Sequence, residues 1–80
     1  MPTVLRVDGF AFSFFPGDHE PPHVHVRYSG GQLVMVIESE RVRNVRSMSE
    51  ADIGKTRMLV RLHRAALLKA WAEWHPAKDQ

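Results

Sequence analysis

Three of the chain's five histidines fall within seven positions, in the run Asp18-His19-Glu20-Pro21-Pro22-His23-Val24-His25-Val26-Arg27. Imidazole binds metals and titrates near neutral pH, so this is the segment most able to do chemistry. If a strand begins at His23, its period of two puts His23, His25 and Arg27 on one face and Val24, Val26 and Tyr28 on the other. Pro21 and Pro22 lack amide donors and bias the residues before them toward extended backbone. They would hold His19 and the carboxylates of Asp18 and Glu20 in a stiff loop, limiting the entropy lost in ordering a site there.

Three chemistries fit such a cluster. Neutral imidazoles with a carboxylate form a zinc or other divalent-metal ligand set, with His23 and His25 as the chelating pair, although the spacing matches no zinc signature. Metal-free acid–base chemistry on a phosphodiester is the second, with one imidazole taking a proton, another giving one, and Arg27 beside them. In the third, His23 and His25 are polar strand positions hydrogen-bonded to Asp18 or Glu20, and they only orient the loop on the sheet. His63 stands apart from the cluster, within the apolar stripe of a helix, where one hydrogen bond to a buried ring is the ordinary outcome.

The elements that must position these residues follow from pattern. Residues 3–7 form an apolar segment around Arg6, and Asp8-Gly9 is a hairpin dipeptide. Residues 10–15 alternate, so that Phe10, Phe12 and Phe14 share a core face before Pro16-Gly17-Asp18 turns the chain. Strands are expected at 23–28 and 32–37, joined at Ser29-Gly30-Gly31, and a charged edge strand at 40–45. Ser49 caps a helix with acids in its first turn, and Pro76 ends it. Ile53, Thr56, Leu59, Val60, His63, Ala66, Leu67, Ala70, Trp71 and Trp74 fall within an arc of roughly 140° facing the sheet. Met58, Leu62 and Leu68 lie outside that arc. The expected fold is α+β, a four- to five-stranded antiparallel N-terminal sheet covered by one long C-terminal helix. Residues 1–76 form a single domain and 77–80 a short polar tail.

Eighty residues hold one core, and the chain has no cysteine, so histidine-bound metal or oligomerisation would be its staple. The longest apolar run, 33–37, is far short of the roughly 18 residues of a membrane span. The start carries no secretory leader pattern. These readings predict a cytoplasmic protein with no membrane partner. Net charge is only +2, but Arg41, Arg43, Arg57, Arg61 and Arg64 cluster in the middle of the chain, where they would attract phosphate or an acidic partner.

Together, Pro2-Thr3-Val4-Leu5-Arg6 with Asp8-Gly9-Phe10, the core Asp18-His19-Glu20-Pro21-Pro22-His23-Val24-His25-Val26, and a last helix with Leu67, Leu68 and Trp71 resemble the bacterial domain-of-unknown-function family 4160. Glu20 stands where such sequences often have another proline. The resemblance implies a toxin-like component of a two-gene bacterial pair, held inactive by a cognate antitoxin protein. It transfers no catalytic residue. With it, the expected working site is His19, His23, His25 and Arg27, supported by Asp18 and Glu20 and acting on RNA or a protein target. The alternatives are a non-catalytic regulator that grips nucleic acid or an acidic protein through the basic helix face, and a histidine metal-binding protein.

Overall fold

The computed structural model describes residues 3–75, and it arranges them as a five-stranded antiparallel meander followed by two helices. The strands are β1 (Thr3–Val7), β2 (Phe10–Ser13), β3 (His23–Tyr28), β4 (Gly31–Val36) and β5 (Val42–Arg46), side by side in chain order. Both tight hairpins take positive φ at two successive residues, Asp8 and Gly9 in one, Ser29 and Gly30 in the other. That pair of angles matches the right-handed twist of the flanking strands. Extra residues bulge β1 between Thr3 and Leu5 and disturb the β4–β5 register between Gln32 and Val34.

Helices α1 (Glu50–Leu62) and α2 (Arg64–Trp74) replace the single expected helix. His63, at φ −107° and ψ 19°, separates them, although helical hydrogen bonds from His63 N–H to Leu59 and from Leu67 N–H to His63 bridge the break. No glycine or proline marks this position. The break falls between Arg61 and Arg64, both tied by their side chains to the corner between β4 and β5, an attachment that no local pattern encodes. Ser49 caps α1 as expected, in a capping box with Asp52. The expected stop at Pro76 and the polar tail 77–80 lie outside the described residues.

One sheet face and the helices enclose the core: Phe10, Phe12, Phe14, Val24, Val26, Leu33, Met35 and Ile37 against Leu59, Val60, Leu67 and Trp71. Trp74, expected there, is 43% exposed. The molecule measures 42 × 21 × 21 Å, and strands of at most six residues cannot fill the long axis. The end of α2 is bonded to loop 14–22 through Trp71 and His75, and Trp74 faces outward. Met58 and Leu62 are exposed, whereas Leu68 packs against the core. Among the described residues no helix is long and apolar enough to cross a membrane.

The helices are fastened to the β4–β5 corner by one carboxylate. Glu40 receives Arg61 through two hydrogen bonds of 2.7 and 2.9 Å and Arg64 at 2.6 Å, with Arg57 3.7 Å away. Arg64 also donates to the Ile37 carbonyl at 3.1 Å. The arginines expected to face away from the sheet as a binding surface are thus partly spent on an internal fastening. The Arg61 hydrogen bonds, outweighing desolvation and aided by the charges of Arg61 and Arg64, hold the Glu40 carboxyl down at about 2.

A carboxyl depressed in the fold contributes stability above its unfolded value and loses it as pH falls through the folded value. Melting temperature measured against pH should therefore show Glu40→Gln less stable than wild type above pH 4.5, with the gap closing as pH falls toward about 2. A gap independent of pH would contradict this. Glycine substitutions should split by position. Gly54→Ala meets nothing within 4 Å and should gain about 0.4–1 kcal/mol. A Cβ on Gly31 would collide with the Ser47 carbonyl and the Met48 side chain, so Gly31→Ala should destabilise in denaturant titrations.

Candidate functional site

The site grows from the end of β2. Phe15 leaves the sheet ladder: its N–H donates to the Asp18 carboxylate at 3.0 Å and its carbonyl accepts the Asp18 N–H at 3.0 Å, closing the turn at 16–17. This is why β2 stops at Ser13 instead of reaching 15. Asp18 is thereby aimed at the start of β3. There, Oδ1 lies 3.3 Å from His23 Nε2, and Oδ2 lies 3.2 Å from His25 Nε2. The imidazoles stand two residues apart on one face, as the register Ser13↔His25 and His25↔Val34 requires. All three side chains are only partly exposed, at 10% for Asp18, 16% for His23 and 21% for His25.

Protons on these groups are constrained by what surrounds them. His23 Nδ1–H donates to the Pro21 carbonyl at 2.9 Å, so in the neutral ring Nε2 carries the lone pair. That lone pair faces a carboxylate oxygen, an arrangement made favourable by a proton or by a cation lying between them. Burial pushes the Asp18 carboxyl up. The Phe15 N–H, the His25 hydrogen bond and the charges of His25 and His23 together outweigh it, and the carboxyl lies below its ordinary value. The three ligand atoms lie within 4.8 Å of one another.

An aromatic wall encloses this set. Phe15 stacks on His25 at a centroid distance of 4.1 Å, His23 lies 5.3 Å from Trp71, and Trp71 stacks on His75 at 3.8 Å. His75 Nε2–H donates to the Phe15 carbonyl at 2.8 Å, so the end of α2 is pinned to the residue that orients Asp18. Trp71 Nε1–H donates to Glu20 at 3.3 Å. Glu20, expected beside the histidines as a supporting carboxylate, is instead the helix's anchor on the loop, and the Glu20–Pro21 peptide is cis.

The other expected residues separate by location. His19 is exposed and contributes no ligand atom to the cluster, and His63 is half-buried at the helix break without joining it. Arg27 shares the face of His25, and the two line a common hollow of about 220 Å³. Arg43 pairs with Val34 on that same face, and Arg41 is exposed beyond the β4 end, while Arg57, Arg61 and Arg64 gather on Glu40. Sequence reasoning missed His75 and the orienting role of Phe15. His75 carried one signal, a histidine in the last helical turn, where exposed carbonyls favour a donor. Phe15 acts through its backbone and carried none.

No curated protein and no solved structure matches the chain. A family profile does, over residues 9–72, a span that contains the whole Asp18–His23–His25 cluster and both helices through Trp71. The chain belongs to the family described as domain of unknown function (DUF4160).

Proposed function

We propose that Asp18, His23 and His25 hold a divalent metal ion of the zinc class, and that this centre is the working site of the protein. The observation that carries the reading is that a single Asp18 oxygen, Oδ1, lies 3.3 Å from the Nε2 atoms of both His23 and His25. With metal–ligand bonds of about 2.0–2.1 Å, the edge of a tetrahedral ligand set is about 3.3–3.4 Å. Two further features support it. The Pro21 carbonyl fixes His23 in the tautomer that presents Nε2, as outer partners do for metal-bound histidines. The lowered Asp18 pKa keeps the third ligand anionic. Three protein ligands leave a fourth position for water or substrate, the arrangement of catalytic zinc sites, and the ion there would act as a Lewis acid.

The cellular role we assign to this centre is that of a toxin-like component of a bacterial gene pair, acting on RNA and opposed by an antitoxin protein. This role rests on the gene-pair context that the sequence resemblance implies, and the chemistry rests on the site. A second reading keeps the same residues without metal, because the Asp18–His25 pair is also a carboxylate–imidazole dyad able to take a proton from a phosphodiester hydroxyl. The regulator reading on the basic helix face is weakened by Glu40, which occupies Arg57, Arg61 and Arg64.

Metal content and melting temperature separate the first two. The zinc-equilibrated protein should retain about one ion per chain. At a hundredfold excess of metal over its dissociation constant, binding stabilises by about 2.7 kcal/mol, a melting shift of roughly 10–20 °C for a domain this size. EDTA should remove that shift, and His23→Ala or His25→Ala should abolish it. A melting temperature indifferent to zinc and chelator would leave the metal-free dyad. For the cellular role, induced expression without a partner should arrest bacterial growth, and the double histidine variant should relieve the arrest while remaining folded. Normal growth with abundant folded wild-type protein would contradict the toxin assignment.

A further inference from the structure

The face of the sheet turned away from the helices carries a row of arginines. Residues opposed across antiparallel strands share a face, and the pairs Arg6↔Ala11, Ala11↔Arg27, Arg27↔Gln32 and Gln32↔Arg46 run in one line from β1 to β5. Arg6, Arg27 and Arg46 therefore stand on alternate strands, about 9.5 Å apart at the backbone, with small or neutral residues between them. The neighbouring row, Ser13, His25, Val34 and Arg43, adds a fourth arginine beside the site. All four arginines are exposed, none makes an ion pair among the described residues, and neither row contains a carboxylate. This separates them from Arg57, Arg61 and Arg64, which share Glu40.

The row also has relief. A hollow of about 440 Å³, bordered by Arg6, Ser13, Arg27 and Gln32, adjoins the hollow of about 220 Å³ that holds Phe15, His25 and Asn44, and the two share Arg27 and Gln32. Phe15, 39% exposed, walls the smaller hollow with its ring stacked on His25. A cationic track with an aromatic ring beside it is the pattern of single-strand recognition, in which guanidinium groups follow phosphates and a ring receives a base. Gln32 and Asn44, both exposed, supply hydrogen-bonding groups along the track, as contact with 2′-hydroxyls requires. A second copy of the chain is disfavoured on this face, because self-association would set its arginines against one another.

We propose that this open sheet face binds single-stranded RNA, laying the strand across Arg46, Arg27 and Arg6 and delivering a nucleotide to Phe15 beside His25. The inference rests on the RNA-directed reading above and deepens it by naming the face that binds and the single-stranded form it takes, and the arginine face itself needs no metal. Fluorescence anisotropy of a labelled twelve-nucleotide RNA of mixed sequence, with the full chain, tests it. The expected result is binding that weakens with salt. Arg6→Ala/Arg27→Ala/Arg46→Ala should lose at least tenfold in affinity and flatten the log–log salt slope by about 2, at roughly 0.7 per lost phosphate contact. Lysine at the same three positions should keep most of the binding. Lys69→Ala, which removes one charge from the exposed side of α2, should bind as wild type does. EDTA should strip the metal from the wild-type chain and leave its RNA binding intact, so failure of the metal reading and failure of this one are distinguishable. Wild-type affinity in the triple alanine variant would overturn the proposal. So would a preference for duplex RNA, single-stranded DNA or poly-glutamate over the RNA strand, or dimerisation through this face in sedimentation.

Discussion

Everything at the site depends on where the Asp18 carboxylate is held. It takes the Phe15 N–H on one side and lies 3.2–3.3 Å from the Nε2 atoms of His23 and His25 on the other. A carboxylate with 10% of its side chain exposed needs partners to remain charged, and the backbone amide and the two imidazoles are those partners. The same contacts fix the loop between β2 and β3. Positioning the loop and building the site are one set of interactions, so the reading of His23 and His25 as loop-orienting residues and the reading of them as ligands describe the same geometry.

The rest of the fold holds that geometry still. Phe12 and Phe14 anchor the strand that ends in the Asp18 turn, and Val24 and Val26 anchor the strand that carries the histidines, all four with no exposed surface. Because side chains alternate along a strand, burying the valines leaves His23 and His25 on the opposite face with no other choice. The helices close the core, and the end of α2 brings Trp71 and His75 to the loop. Glu40 sets the other end of the arrangement by fastening Arg61 and Arg64 near the helix break. The apolar core supplies the driving force, and these few polar contacts choose how the helices lie on it.

Local pattern made much of this legible. Asp8-Gly9 and Ser29-Gly30 announced the two hairpins, the alternation after Pro22 set the faces of β3, and Ser49 marked the start of α1. From those alone, His23 and His25 fall on one face and Asp18 falls in the loop before them. What could not be read were contacts between distant segments. Glu40 lies more than twenty positions from Arg61 and Arg64, the arginines hydrogen-bonded to it, so a helix face that looked free on a helical wheel is partly occupied. Glu20 looked like a neighbour of the histidines because it is close in sequence, but its carboxylate turns to Trp71, fifty-one positions on. Trp74 has the periodicity of a core residue, yet it is exposed. The row of Arg6, Arg27 and Arg46 is invisible along the chain, since it exists only once five strands are in register.

The most direct test of the account is the coordination shell of the zinc-equilibrated protein, measured by X-ray absorption at the zinc edge together with a crystal structure using zinc anomalous scattering. The account predicts one ion per chain, bound by Nε2 of His23, Nε2 of His25 and a carboxylate oxygen of Asp18, with nitrogen and oxygen neighbours at about 2.0–2.2 Å. Zinc found elsewhere on the chain, or no ion between Asp18 and the two histidines at saturating metal, would contradict it.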